Sequence, residues 1–268
     1  MRGNYEDYIN YLKKVTRVVI KIGTSSLTDE SSKLDVGKIA NLVSMIMRQK
    51  STGIDPIIVS SGAIGAGLGR LEIPSRPGEI EELQAAAAIG QGILMQTYEF
   101  FFDHYGQPIA QILLTKEDFT DPCRYTNLSK TIETLINWGV IPIINENDTI
   151  ATEEIKVGDN DTLASYVTTG IKADLLVILT DVDGLYKGNP DDQPRELVKV
   201  VHDVTPEVEA WASQVGKGFG GMYTKVQAAK KLADLGILTV IANSGHPEVI
   251  SKIFTEQIGT VFLTKELK

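Results

Sequence analysis

The sequence has one cysteine, three histidines and no long apolar run. Cys123 leaves no partner for an internal disulfide, so we expect a reducing compartment such as the cytoplasm. The histidines, His104, His202 and His246, lack the spacing of metal ligands or of a catalytic triad. No apolar run approaches the roughly 20 residues that cross a bilayer, and the first residues lack a signal-peptide core. We therefore expect neither a secreted nor a membrane-spanning protein.

Basic residues are outnumbered by acidic ones, 26 to 35, which gives a formal net charge of −9. This charge repels nucleic acid and anionic membranes, so we expect neither as a partner. An anionic substrate would have to be met by local lysines. The chain has 268 residues, of which 43% are hydrophobic, and this suffices for one large domain or two small ones.

Short runs rich in Val and Ile alternate with amphipathic segments, which indicates an α/β fold with a mainly parallel central sheet covered on both faces. The predicted strands are residues 17–23, 55–62, 108–114, 140–147, 173–181 and 237–244. The predicted helices are residues 36–50, 81–102 and 126–138, and another begins near Lys225. Trp138 and Trp211 fall on apolar helix faces, so we expect both in the core. We expect a single domain, 1–268, with an internal division near residue 170.

Glycines and polar residues gather where the predicted strands end. These segments are Gly23–Ser26, Ser60–Gly69, Asn145–Asp148 and Thr180–Gly184. Ligands of open parallel sheets bind beyond the carboxyl ends of the strands. The sequence therefore predicts a binding site at this edge of the sheet.

Two lysines stand in unusual positions. Lys21 lies in the apolar strand "VVIKIG", where its charge needs a nearby anion unless the strand is an edge strand and the side chain points to solvent. Lys225 follows the glycine-rich "GFGGMYTK" in the first turns of a helix, where its charge opposes the helix dipole. A bound anion would satisfy both lysines, although Lys225 is also compatible with a solvent-facing position after an ordinary loop. The glycine spacing before Lys225 is not that of a P-loop.

The segment "VSSGAIGAGLGR" only superficially matches a dinucleotide fingerprint. It follows the second strand rather than the first, and no acidic ribose partner follows it, which disfavours a nicotinamide oxidoreductase. Ser60 and Ser61 among these glycines fit a small polar ligand or a phosphate, and a packing loop is the alternative.

The stretch "NENDTIATEEIKVGDNDTLAS", residues 145–165, crowds Asp148, Asp159 and Asp161 into a short segment. A solvated loop, a metal site and a pocket for a charged ligand all remain open. In "LTDVDGLY", Asp183 is typical of a turn, whereas Thr180 and Asp181 stand at the strand end, where a nucleotide could be reached.

Six motifs taken together resemble the amino acid kinase family, and they occur in the family's order. They are "IKIGTSSL", "VSSGAIGAG", "INENDTIA", "IKVGDNDTLA", "LTDVDGLY" and "GGMYTK". The likeness runs from about 16 to 262 and is strongest to the branch that phosphorylates the side-chain carboxylate of L-glutamate with ATP. It implies a three-layer sandwich with an amino-acid lobe at about 16–170, a nucleotide lobe at about 171–262, and Mg²⁺ as a cofactor. Many members carry a C-terminal RNA-modification-type domain, which we do not expect in a chain ending at Lys268.

The resemblance also implies roles for individual residues. Lys21 and Lys225 would act on the transferred phosphoryl group and Asp161 would orient them. Asp148 would meet the α-ammonium of glutamate, and Asn160 and Ser61 the rest of it, with Asn160 and backbone amides at the α-carboxylate. The implied ATP-binding residues are Lys21, Thr180, Asp181, Phe219, Gly220, Gly221, Met222, Tyr223, Thr224 and Lys225. Phe219 stands where the family usually has threonine.

Several alternatives remain open from the sequence. The acceptor could be aspartate, acetylglutamate, carbamate or a nucleoside monophosphate, and a non-catalytic amino-acid sensor would keep the same pocket. Both lysines being present argues against a sensor. The resemblance further implies a homo-oligomer, a dimer or tetramer, and feedback inhibition by proline.

Overall fold

The computed structural model describes residues 2–29, 33–151, 160–188, 196–214 and 221–264. These residues form an eight-stranded sheet with helices on both faces. The strands are β1 (Arg17–Ile22), β2 (Asp55–Val59), β3 (Ile109–Leu114), β4 (Ile141–Glu146), β5 (Leu175–Thr180), β6 (Val200–Val201), β7 (Leu238–Asn243) and β8 (Thr260–Phe262). The helices are α1 (Arg2–Leu12), α2 (Val36–Lys50), α3 (Ala63–Arg70), α4 (Ile80–Asp103), α5 (Glu117–Thr120), α6 (Pro122–Asn137), α7 (Asn160–Gly170), α8 (Pro206–Gln214), α9 (Met222–Asp234) and α10 (Val249–Thr255). A short 3₁₀ turn, Thr24–Ser26, follows β1.

The sheet is mainly parallel and runs in the order β3-β4-β2-β1-β5-β7-β8-β6. The antiparallel pair is β7 with β8, and β6 lies parallel to β8 at the end of the sheet. β1 pairs with β2 on one side and β5 on the other. The edge-strand interpretation of Lys21 is therefore wrong, and the predicted α/β fold with a mainly parallel sheet is confirmed.

Side chains alternate between the two faces of each strand and build two cores. Val18, Ile20 and Ile22 of β1 pack with residues of α1, α2, α4 and α10. Val19 packs on the opposite face, with residues of α6, α7, α8 and α9. The result is the expected three-layer sandwich. Because Lys21 follows Val19 by two positions, it lies on the same face as α7 and α9.

Helices α3 and α4 pack so closely that glycine is needed at the contact. A Cβ at Gly67 would overlap Ala86 O, and a Cβ at Gly90 would overlap Ala63 O. Gly67 therefore serves close packing, but within a helix and not in the packing loop that was the alternative from the sequence. Gly62 differs, because its φ of 93° lies in the left-handed region and lets the chain turn from β2 into α3.

The predicted strands and helices all occur, with three notable differences. β2 ends at Val59, because the chain turns there into α3. This helix was not predicted, since its glycines are typical of a loop. α6 begins earlier than predicted, at Pro122, because the Asp121 side chain accepts hydrogen bonds from Cys123 N at 2.8 Å and Arg124 N at 3.0 Å. The expected core position of Trp138 is wrong: the residue follows the end of α6 and is 73% exposed. Trp211 is partly buried against the second core.

Candidate functional site

Lys21 and Lys225, which are far apart in the sequence, meet at one carboxylate. Lys21 Nζ lies 2.7 Å from Asp161 Oδ1, and Lys225 Nζ lies 3.0 Å from Asp161 Oδ2. The Thr224 hydroxyl donates to the same Oδ2 at 2.6 Å. Both lysines are 4% exposed and Asp161 is 0% exposed. The structure thus brings the three predicted catalytic residues together; their catalytic roles stay predictions.

Three elements position this cluster. β1 holds Lys21 near its carboxyl end, and Asp161 stands in the first turn of α7, where a negative charge is favoured by the helix dipole. Lys225 stands near the start of α9, after Gly221, which is the N-cap residue. The dipole disfavours a cation there, and Asp161 compensates for it. The solvent-facing interpretation of Lys225 is therefore wrong.

The cluster carries more positive than negative charge. Burial opposes the ionisation of Asp161, but the charges of Lys21 and Lys225 outweigh it, so the pKa of Asp161 lies below its ordinary value. One carboxylate then faces two ammonium groups in a buried position. This arrangement favours a second anion, and a phosphoryl group would supply the missing charge.

A cavity of about 290 Å³ adjoins the cluster. It lies at the carboxyl ends of β1, β2 and β4, at the edge of the sheet where the sequence predicted a site. Its lining residues are Thr24, Ser61, Gly62, Ala63, Ile64, Gly65, Arg76, Asn145, Asp148 and Asn160. Asn160 connects the two parts, because the next residue, Asp161, holds the lysines.

Asp148 presents a buried carboxylate to this cavity. It is 8% exposed and makes no hydrogen bond or salt bridge with the residues that the structure describes. Burial, together with repulsion from Glu146, raises the pKa of Asp148 to about 7, although Arg76 opposes the shift. A bound cation would stabilise the ionised form of this carboxylate.

Asn160 lines the cavity and has one unpaired polar atom. Its Nδ2 donates to Ser60 O at 2.8 Å, Ser61 Oγ at 3.1 Å and Asn145 Oδ1 at 3.0 Å, so both amide hydrogens are engaged. Its Oδ1 is buried and has no hydrogen-bond partner among the described residues. A free acceptor suits a donor such as an ammonium group. The expected contact of Asn160 with the α-carboxylate of the ligand stays a prediction.

An anion in the cavity would find other groups. The first N–H groups of α3 have no acceptor within their own helix, and Gly62–Gly65 line the cavity. Arg76 also lines it, from the segment between α3 and α4. Sequence reasoning missed Arg76, because this residue lies in an irregular segment that contains Pro and Gly and has no periodicity.

The predicted nucleotide residues lie at two neighbouring places. Thr180 ends β5, beside β1, and its hydroxyl donates to Asp181 Oδ1 at 3.1 Å. Gly221, Met222, Tyr223 and Thr224 form the start of α9, although Met222 is buried in the second core. Phe219 and Gly220 lie outside the described residues, as does Asp159.

Asp183 is held in its turn by three neighbours. It accepts hydrogen bonds from Asn243 Nδ2 at 2.9 Å and from the Tyr186 hydroxyl at 3.1 Å, and His246 Nε2 lies 2.9 Å from its Oδ1. These contacts agree with the structural interpretation of this residue.

No group of three or more potential metal ligands occurs among the described residues. In that part of the chain, the metal-site interpretation of the acidic stretch is not supported. Nor do the described residues include a helix that is both long and apolar enough to span a bilayer.

The sequence and the fold match a known class. The sequence profile described as "Amino acid kinase family" matches residues 16–243, which is most of the chain. The chain belongs to the amino acid kinase family. Two solved structures share the fold, and their low sequence identities to this chain make them evidence for the fold alone. They are UMP kinase from Bacillus anthracis (TM-score 0.64, 13% identity, 94% of this chain and 97% of that one) and carbamate kinase from Giardia lamblia bound to AMP-PNP (TM-score 0.67, 16% identity, 94% and 99%).

Within the family, the chain is similar to proteins named glutamate 5-kinase. It is 48% identical over 251 residues to that of Caldanaerobacter subterraneus subsp. tengcongensis, covering 92% of this chain and 68% of the relative. It is 48% identical over 259 residues to that of Clostridium acetobutylicum, covering 95% of this chain and 97% of the relative.

Proposed function

We propose that the protein is a glutamate 5-kinase, which transfers the γ-phosphoryl group of ATP to the side-chain carboxylate of L-glutamate and so begins proline biosynthesis. The observation that carries this proposal is the adjacency of two sites. A cavity lined by Asp148 and Asn160 would take a cation, and the residue after Asn160 holds two lysines that would take an anion. The 48% identity to named glutamate 5-kinases supports it.

The cavity groups match free glutamate. The α-ammonium would lie between Asp148 and Asn160 Oδ1, since both are acceptors without a hydrogen-bond donor among the described residues. The α-carboxylate would accept from the N-terminus of α3, assisted by Ser61 or Arg76. This revises the expected role of Asn160 from donor to acceptor. An acetylated amine could not neutralise Asp148, which disfavours acetylglutamate.

The transfer step needs no general base. The side-chain carboxylate of glutamate has an ordinary pKa of about 4.3 and is ionised at neutral pH. One of its oxygens attacks the γ-phosphorus, the bond from phosphorus to the bridging oxygen breaks, and ADP leaves with the electron pair. The product is an acyl phosphate, L-glutamyl 5-phosphate. Lys21 and Lys225 would neutralise the phosphoryl oxygens during transfer, and Asp161 would keep the ammonium groups converged.

Mg²⁺ would enter with ATP. Magnesium commonly keeps several waters and binds through substrate phosphates, so a protein cage of carboxylates is not needed. Asp161 contacts both lysines, so Asp181, which is exposed just after β5, would be the carboxylate that contacts the ion or its waters.

The remaining expectations become part of this proposal. Residues of about 16–170 would form the amino-acid lobe and about 171–262 the nucleotide lobe of one domain, in a cytoplasmic enzyme. Homo-oligomer formation is supported by α4, where Ile89 is 40% and Phe100 is 60% exposed. Feedback inhibition by proline is supported by its chemistry, because its ammonium and carboxylate match those of glutamate.

One assay tests the proposal. The protein is incubated with ATP, Mg²⁺, L-glutamate and hydroxylamine, which traps an acyl phosphate as a hydroxamate. We expect hydroxamate and ADP in equal amounts. Aspartate, acetylglutamate, carbamate and UMP are tested in parallel by ADP release. Faster turnover with one of them would replace glutamate as the acceptor, and no ADP with any acceptor would indicate a sensor.

A further inference from the structure

We propose that Gln91 is a positioning residue for amino-acid recognition: acting through Asn145, it fixes Asn160 so that Oδ1 accepts from the α-ammonium of the substrate. Gln91 does not line the cavity, and no sequence motif includes it. The inference rests on the proposed function, because it assumes that the ligand carries an α-ammonium.

Three amide side chains form a directed chain from α4 to the cavity. Asn145 Nδ2 donates to Gln91 Oε1 at 2.8 Å. Asn145 Oδ1 accepts from Glu146 N at 2.9 Å and from Asn160 Nδ2 at 3.0 Å. Asn160 Oδ1 is then the end of the chain, and it is buried without a partner among the described residues.

A backbone group sets the direction of this chain. Side-chain amides can exchange their oxygen and nitrogen by a half turn, so each orientation needs a cause. The backbone N–H of Glu146 can only donate, which fixes Oδ1 of Asn145 on its side and Nδ2 towards Gln91. Asn160 must therefore direct its Nδ2 to Asn145, and Ser60 O reinforces that choice. Oδ1 of Asn160, a residue that lines the cavity, is therefore the atom left without a partner among the described residues.

Burial of the Gln91 amide is unfavourable for stability, which supports a role for its oxygen in the site. Its Nε2 is buried without a hydrogen-bond partner among the described residues. An unsatisfied buried amide is unfavourable, and an apolar side chain of the same length would avoid the penalty. The oxygen, by contrast, is the acceptor for Asn145. The neighbouring Gly90 allows α4 to approach α3 closely, which fixes the backbone from which Gln91 reaches.

Loss of the Gln91 oxygen would act on one substrate group alone. Asn145 Nδ2 would lose its acceptor, so only the Glu146 N–H and Ser60 O would still oppose a half turn of Asn145 and Asn160. The NH₂ group of Asn160 would then replace its oxygen in a larger share of the molecules. An NH₂ group repels an ammonium but is indifferent to a substrate without one. The effect should therefore fall on L-glutamate and spare glutarate, which is the same diacid without the amine.

The test compares Gln91→Met, Gln91→Glu and the control Gln96→Met, which changes an exposed residue of the same helix. Dissociation constants for L-glutamate and glutarate are measured by calorimetry, with kcat and the KM for ATP. Gln91→Met should weaken L-glutamate binding about 10-fold, with glutarate binding and the KM for ATP within twofold. Gln91→Glu keeps an acceptor and should retain more of the preference for L-glutamate. Gln96→Met should match the wild type.

Three outcomes would overturn the inference: an unchanged preference in Gln91→Met, an equal loss for both diacids, or a Gln91→Glu variant no better than Gln91→Met. If Gln91→Met does not fold, Gln91→Ala serves in its place. A wild-type protein that forms no hydroxamate from glutamate would instead refute the proposed function, so the two failures are distinguishable.

Discussion

At the residue scale, two single substitutions of lysine test the proposed phosphoryl site. Lys21→Ala or Lys225→Ala should each lower kcat about 100-fold or more, because one buried positive charge near the migrating group is lost. The KM for glutamate should change little, since the cavity residues are different. Lys130→Ala, at an exposed position of α6, is the control. Steady-state kinetics with hydroxamate detection measure all three, and near-normal turnover in both site variants would exclude the lysines from catalysis.

Asp148 should make glutamate binding depend on pH. Burial raises its pKa to about 7 in the ligand-free protein, and a protonated Asp148 cannot pair with an ammonium. The KM for glutamate should therefore rise about 10-fold for each pH unit below 7, while the KM for ATP does not follow. Asp148→Asn should bind glutamate weakly with a flat profile. Kinetics between pH 5.5 and 8.5 decide this, and an unchanged KM in the variant would show that another group binds the amine.

The sequence could identify these residues but not their geometry. Lys21 attracts attention as a charge in an apolar strand, and Asp148 and Asp161 belong to a dense acidic motif. The convergence of two lysines on Asp161 needs β1, α7 and α9 to meet, which no local pattern encodes. The acceptor role of Asn160 depends on a hydrogen bond from a backbone N–H to Asn145, and Arg76 and Gln91 stand in no motif at all.

At the scale of elements, the close contact between α3 and α4 predicts opposite effects on stability for alanine substitutions at two glycines of α4. Gly90→Ala should destabilise the protein by about 1–3 kcal/mol, because its Cβ would overlap Ala63 O. Gly92→Ala places a methyl group in open space and should stabilise the protein by about 0.5–1 kcal/mol through helix propensity. Urea unfolding monitored by circular dichroism compares the two. Equal effects would contradict the close approach of the helices.

Elements with a strong apolar period were predictable, and those defined by tertiary contacts were not. The Val- and Ile-rich runs predicted β1 to β5 and β7. α3 was not predicted because its N-cap residue and three of its eight residues are glycines. Glycine has a low helix propensity, and packing against α4 stabilises the helix here. β6 and β8 have two and three residues, too few for a period to emerge.

At the scale of the whole molecule, Asp148 should lower the stability of the ligand-free protein. Its pKa is raised from 3.8 to about 7 on folding, so the unfolded chain loses this proton first and stability falls as pH rises through that window. Each unit of upward shift costs about 1.4 kcal/mol. Asp148→Asn should therefore be more stable than the wild type at pH 8, and the difference should shrink towards pH 4. Urea midpoints at both pH values measure it, and parallel profiles would contradict the shift.

The start of α7 ties two properties together. Asn160 lines the cavity and the next residue, Asp161, contacts both lysines, in the first turn of one helix. A backbone shift that adapts the pocket to a longer or shorter diacid would also move Asp161 relative to the two lysines. We therefore expect acceptor choice and turnover to change together, because Ser60, Ser61 and Asn145 on the other sides of the pocket also hydrogen-bond to Asn160, next to the anchor.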